Sequence, residues 1–207
     1  MNYIDFYLAL SSPWTYLGMK RVLNISIKHK LTLNLKPVNV LELFKHNSIK
    51  QVRERPKAVQ ANRLNELKRW KKFLNIPLNL HPKYFPVDPN PSAKLLLAIL
   101  NSDDENITNK GYKFAECVLR AVWHENKDIS QKDTLKKITD DLELNSTKLL
   151  EESENNKILK TFHNNTSEGI KNNVFGVPTF IYKNELFFGQ DRLDFLDRKI
   201  SNFINFN

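Results

Sequence analysis

The stretch Ser11-Ser12-Pro13-Trp14-Thr15 stands where a strand-like run, Tyr3 to Leu8, passes into apolar residues at helical spacing. A helix start leaves backbone N–H groups without internal partners and carries the positive end of the helix dipole, so it favours an anion. Ser12 suits the cap position and Pro13 the first helical position. A hydroxyl there can cap the helix, the commoner use of serine, or donate to an anion such as a thiolate. The second feature is Val177-Pro178, inside the apolar run from Val174 to Tyr182. Proline in a central strand removes a ladder donor, so Pro178 is expected to begin a strand rather than lie within it. No His, Cys and carboxylate cluster has metal-ligand spacing, and no glycine-rich phosphate loop is present.

The elements that must position these residues follow from periodicity. Residues 3–8 form a short strand; Trp14, Leu17, Val22 and Ile25 mark a helix from Pro13; the segment Leu31 to Val40 alternates as a second strand. Strand, helix and strand in that order feed a parallel sheet. From about residue 41 to 160 the pattern is helical, with Leu64, Leu67, Trp70 and Leu74 on one amphipathic face and Ala115, Val118, Leu119 and Val122 on another. The proline-rich stretch 75–91 is a long loop, a class that often carries function. After a helix near Lys157 to Lys171 come a strand, a tight turn at Lys183-Asn184, the short strand Glu185 to Phe188 and a closing helix from Asp191. The expected fold class is therefore α/β: a thioredoxin-like domain, residues 1–40 and 160–207, interrupted by an all-helical insertion, residues 41–159.

Composition excludes other classes. The chain has 207 residues, enough to bury a core without staples, and its 41% hydrophobic and 27% charged content is that of a folded protein rather than a disordered one. No apolar run approaches the roughly 20 residues that span a bilayer, and the N-terminus reads as a strand, not a signal peptide. A single cysteine, Cys117, agrees with a reducing compartment, so the cytoplasm is expected. Its apolar neighbours at helical spacing place it in the core. The formal charge is +9, but Lys and Arg are dispersed instead of blocked, which argues against a nucleic-acid partner.

In a thioredoxin-like arrangement the first helix begins beside the loop before the third strand, a loop that often holds a cis-proline; Ser12 and a cis Val177-Pro178 bond are then neighbours. With Ser12 in place of a cysteine, the thiol must come from outside. These residues, together with Asp5 to Gly18, Val174 to Phe180, Phe187 to Leu196 and the loop Leu78 to Pro91, resemble the family of 2-hydroxychromene-2-carboxylate isomerases and kappa-class glutathione transferases. The resemblance spans nearly the whole chain. It implies glutathione as cofactor, with Ser12 beside the sulfur, the Val177 backbone paired with the tripeptide, and Phe188, Gly189, Gln190 and Asp191 at the γ-glutamyl end. Asp191 reads equally as the cap of the last helix, and Arg192 as a solvated residue or a contact for a carboxylate of glutathione. Gln190 has little evident structural reason for its place.

For a second substrate, a small aromatic or conjugated organic acid, the candidates are Asn47, Arg55 and Lys57 after the second strand and His81 and Tyr84 in the proline-rich loop. The implied activity interconverts 2-hydroxychromene-2-carboxylate and trans-o-hydroxybenzylidenepyruvate, in a homodimer with no membrane partner. Two other functions fit the same residues: a kappa-like glutathione transferase or peroxidase, and a non-catalytic thiol-binding or chaperone-like module.

Overall fold

A computed structural model describes residues 2–102 and 107–205. Strand β1 (Tyr3–Leu8) runs into helix α1 (Pro13–Lys28), and β2 (Thr32–Pro37) returns beside it. Helices α2 (Val40–His46), α3 (Lys57–Leu74), α4 (Asn90–Leu100), α5 (Ile107–Trp123), α6 (Lys132–Asp140), α7 (Ser146–Glu152) and α8 (Asn156–Lys171) follow. The chain then re-enters the sheet through β3 (Thr179–Tyr182) and β4 (Glu185–Phe188) and ends in α9 (Leu193–Asn205).

The sheet order is β2-β1-β3-β4. β1 pairs parallel with β2, Tyr3 opposite Thr32 and Leu8 opposite Pro37, as the connecting helix requires. β3 is antiparallel to both β1 and β4. The β3–β4 turn is Lys183-Asn184, both at positive φ (49° and 65°), the geometry whose twist matches a two-residue hairpin. Pro178 stands immediately before β3 and the Val177-Pro178 bond is cis, as the sequence leads one to expect; a second cis bond, Phe85-Pro86, lies in the proline-rich loop. The last helix departs from expectation at its start. Gln190–Arg192 form a 3-10 turn, and α9 begins only at Leu193.

Both faces of the sheet are covered. Ile4, Phe6 and Leu8 join Phe180 and the apolar faces of α1, α4 and α5 in one large core. Tyr7, Val38, Leu43, Val174 and Val177 form a smaller one on the opposite side. The helices between β2 and β3 thus share a core with the sheet. Trp123, at the end of α5 and fully buried, shows how closely: its indole N–H donates to the Ser11 carbonyl at 3.2 Å, so a helical-segment residue holds the turn that carries Ser12. Among the described residues no helix is long and apolar enough to cross a membrane.

Candidate active site

Ser12 occupies the N-cap of α1 with extended backbone angles, and its hydroxyl oxygen accepts from the Thr15 N–H at 3.2 Å. The cap reading is therefore correct as far as it goes. It does not use up the side chain, because accepting one bond leaves the hydroxyl proton free to donate. Pro13 has no N–H, so the Trp14 N–H and the Ser12 hydroxyl are the donors exposed at this helix start. Thr15, one turn on, is fully buried, and its own hydroxyl has no partner among the described residues. Cys117 offers no competing nucleophile: burial pushes its thiol up from the ordinary cysteine value, and Glu116 adds to that rise.

Next to Ser12 runs the segment from Phe175 to Val177, whose Val177 N–H and carbonyl have no protein partner among the described residues. A buried peptide unit without a partner is a ready edge for another backbone. The chain turns at Gly189, where φ is +94°, and its N–H donates to the Pro178 carbonyl at 2.9 Å. A side chain at that position would be strained in φ and would run into the Asp191 carboxylate. Asp191 lies in the 3-10 turn, exposed, with the Arg192 guanidinium 2.6 Å away. Gln190 is only 1% exposed and has the structural reason the sequence did not reveal. Arg21 donates to its carbonyl at 2.8 Å and to its side-chain oxygen at 2.7 Å, and Gly18 lets it pack against α1.

Two cavities open here. The first, about 360 Å³, has Ser11, Ser12 and Val177 on the sheet side and Phe44, Arg55, Arg63 and Phe85 on the helical side. The second, about 270 Å³, reaches Glu66 and Trp70 of α3 and the turn Gly189, Gln190 and Asp191. Trp14, Val177 and Phe188 border both, so the two adjoin as parts of one cleft, with Ser12 in the first. One end is cationic and aromatic; the other carries the carboxylates of Asp191 and Glu66, paired with Arg192 and Arg69. The Arg63 guanidinium lies 5.5 Å above the Phe85 ring, and Phe85 packs on Trp123 at 4.8 Å. Burial lowers the Arg63 pKa, and the nearby Arg55 charge lowers it further.

Of the residues singled out in the sequence, Ser12, Val177, Phe188, Gly189, Gln190, Asp191 and Arg55 line this cleft. Asn47, Lys57, His81, Tyr84 and Arg192 line neither part of it. Asn47 ends α2, its amide donating to the Leu43 carbonyl at 2.9 Å, while Lys57, His81 and Tyr84 are exposed. The proline-rich loop contributes Phe85 instead, pinned where the Asn79 N–H donates to the Trp123 carbonyl at 2.6 Å. Sequence reading missed Trp14, Phe44, Arg63, Glu66 and Phe85 as site residues. One signal was available: Arg63 and Glu66 fall within a turn of the Leu67 and Trp70 stripe, so charge sits at the border of α3's inward face.

Comparison with known proteins agrees with this fold. The pattern of the DSBA-like thioredoxin domain matches residues 3–201. The chain is 24% identical over 197 residues to 2-hydroxychromene-2-carboxylate isomerase of Pseudomonas putida, covering 94% of this chain and 92% of that one. It is 24% identical over 204 residues to Glutathione S-transferase kappa 1 of Caenorhabditis elegans, covering 91% and 86%. A solved 2-hydroxychromene-2-carboxylate isomerase superposes with a TM-score of 0.80 at 22% identity, over 98% of this chain and 96% of that one, which bears out the fold.

Proposed function

From the premise that the chain belongs to the DSBA-like thioredoxin domain family, we propose that it is a glutathione-dependent isomerase acting on a small aromatic or conjugated organic acid. Relatives named as isomerases and as a kappa-class glutathione transferase support this reading. The observation that carries it is the chemistry of the cleft: the carboxylates of Asp191 and Glu66 in one part, and in the other a helix start with a free hydroxyl proton beside arginines that have no carboxylate partner among the described residues. The residues fit the tripeptide. Asp191 and Glu66 suit the γ-glutamyl ammonium, the unpartnered Val177 peptide suits its backbone, and Ser12 suits its sulfur.

When bound, glutathione supplies a thiolate able to add reversibly to a conjugated double bond, freeing that bond to rotate. The protein's part is to make the thiolate available at neutral pH. A free thiol has a pKa of about 8.5, and lowering it to about 6.5 requires about 2.7 kcal/mol in favour of the anion. The Ser12 hydroxyl and the N–H groups at the start of α1 supply charge-assisted hydrogen bonds and a favourable dipole. Phe44, Phe85 and Phe188 line an apolar wall beside that helix start, where a bound acid would displace water and strengthen those interactions.

The same reading takes the substrate pair as 2-hydroxychromene-2-carboxylate and trans-o-hydroxybenzylidenepyruvate, and the protein as a cytoplasmic homodimer. Calorimetric titration with glutathione, run beside a stoichiometric turnover assay, tests it. Saturable binding with glutathione recovered unconsumed is expected. Consumption of one glutathione per turnover would make the protein a transferase, binding without turnover would make it a non-catalytic thiol-binding module, and absence of binding would overturn the reading.

A further inference from the structure

We propose that Arg55 and Arg63 together form a carboxylate clamp, and that Arg63 is the residue that makes the cleft select planar aromatic acids over neutral molecules of the same shape. The inference rests on the reading of the cleft as the acid's site, and it adds a specificity-determining residue to that site.

Both guanidiniums border the cavity that holds Ser12. Neither has a carboxylate partner among the described residues, although 23 Asp and Glu are present in the chain. Half-buried arginines are ordinarily paired, because removing a charge from water is costly without a counter-ion. Here two border one cavity, and burial first, then the neighbouring Arg55 charge, disfavours the Arg63 cation. What holds them is aromatic rather than anionic. The Arg55 guanidinium lies 5.6 Å from the centroid of Phe44, and that of Arg63 lies 5.5 Å from Phe85. Arg55 spends its Nε on the Lys50 carbonyl at 3.0 Å, which leaves its terminal nitrogens free, and Arg63 has no hydrogen-bond acceptor in the described structure. A planar fork with unused donors matches a carboxylate in two parallel bonds. The surrounding wall of Phe44, Phe85, Phe175 and Phe188 sets the rest of the ligand as flat and apolar. An anion in this cavity relieves the repulsion, and a neutral analogue leaves it in place.

The test uses trans-cinnamate and its neutral amide as probes, titrated into the full chain without glutathione and followed by tryptophan fluorescence or calorimetry. The parent protein is expected to bind cinnamate at least about 10-fold more tightly than the amide. R63Q is expected to lose about 10- to 100-fold for cinnamate and almost nothing for the amide, with R63K between, since it keeps the charge and loses the fork. A melting temperature for each variant excludes a folding defect, and R55Q, with the same charge-selective loss, supplies a second variant. Equal loss for acid and amide, or no saturable cinnamate binding to the parent, overturns the proposal. Glutathione titrated into R63Q separates the two possible carboxylates: a loss as large as that for cinnamate would assign the clamp to the glycyl carboxylate of the tripeptide and overturn the inference. Because the cinnamate arm contains no glutathione, it stands or falls separately from the glutathione reading.

Discussion

On the sheet side of the cleft, Ser12, Val177 and Gly189 sit at the ends of regular elements, and what they offer is a cap hydroxyl and a Val177 peptide without a partner among the described residues. On the helical side, Phe44, Arg63 and Phe85 project from a short helix, from the interior of a long one and from a loop, and they offer side chains only. The first wall is fixed by how helices begin and strands turn, so its chemistry is tied to the fold. The second can be re-lined residue by residue without disturbing a cap or a ladder. α3 makes the point: only Leu67 of its described residues is buried, so the helix is held by one stripe and the rest of its surface is open to change. Under the proposed function, a scaffold divided in this way would keep the wall that meets the thiol while the other wall sets the second substrate.

The strongest way to break that division is to attack a residue that joins the walls. Trp123 is fully buried, stacks on Phe85 and holds the Ser11 carbonyl. Trp123→Ala is expected to lower stability by about 3–5 kcal/mol and to weaken glutathione and cinnamate binding together, measured by melting and calorimetry. Trp123→Phe should keep most of the stability. If Trp123→Ala leaves glutathione affinity intact, the helical segment does not hold the Ser12 turn.

A sharper comparison comes from Gly189. An added methyl would meet the Asp191 carboxylate at a position already at φ +94°. Gly189→Ala should cost about 1–3 kcal/mol of stability and reduce glutathione affinity several-fold, while cinnamate binding stays unchanged. A parallel drop in both ligands would mean that the two walls move as one.

The smallest effect is expected away from the cleft, where α9 meets the end of α1. Asp197 of α9 meets Lys28 at 2.8 Å and His29 at 2.6 Å. Burial pushes its carboxyl up, but the Lys28 and His29 bonds outweigh burial and hold it below its ordinary value. The native pKa is thus lower than the unfolded one, so the stabilisation is present above a pH of about 4 and fades as pH falls through the native value. Asp197→Asn should cost under about 1 kcal/mol at neutral pH and flatten the acid limb of a stability–pH profile, with neither ligand affected. An unchanged acid limb would remove Asp197 from the account.

How far each wall could be read from sequence follows the same line. The strand, capped helix and strand at the start, the turn at Lys183-Asn184, and the position of Pro178 all rest on local rules, and so does Ser12 as a cap; Val177 and the turn to Asp191 stand out only through the family resemblance. Phe44, Arg63 and Phe85 are brought together by packing between segments far apart in sequence, which no local spacing encodes. His81 and Tyr84 lie in the right loop, but Phe85, anchored on Trp123, is the residue that faces inward. Gln190 shows the reverse case: it looked free for a ligand, and Arg21, 169 positions away, already holds it.

The central claim is that Ser12 favours the anion of a bound thiol. The direct measurement is the ultraviolet thiolate absorbance of the glutathione complex against pH, for the parent protein, Ser12→Ala and Ser11→Ala. The account predicts that Ser12→Ala raises the apparent thiol pKa by about 1–2 units, the equivalent of one charge-assisted hydrogen bond, and lowers turnover at neutral pH, while Ser11→Ala titrates as the parent does. Loss of a cap alone would lower the melting temperature and leave the titration where it was. Identical titration of all three proteins, with turnover unchanged, would contradict the account.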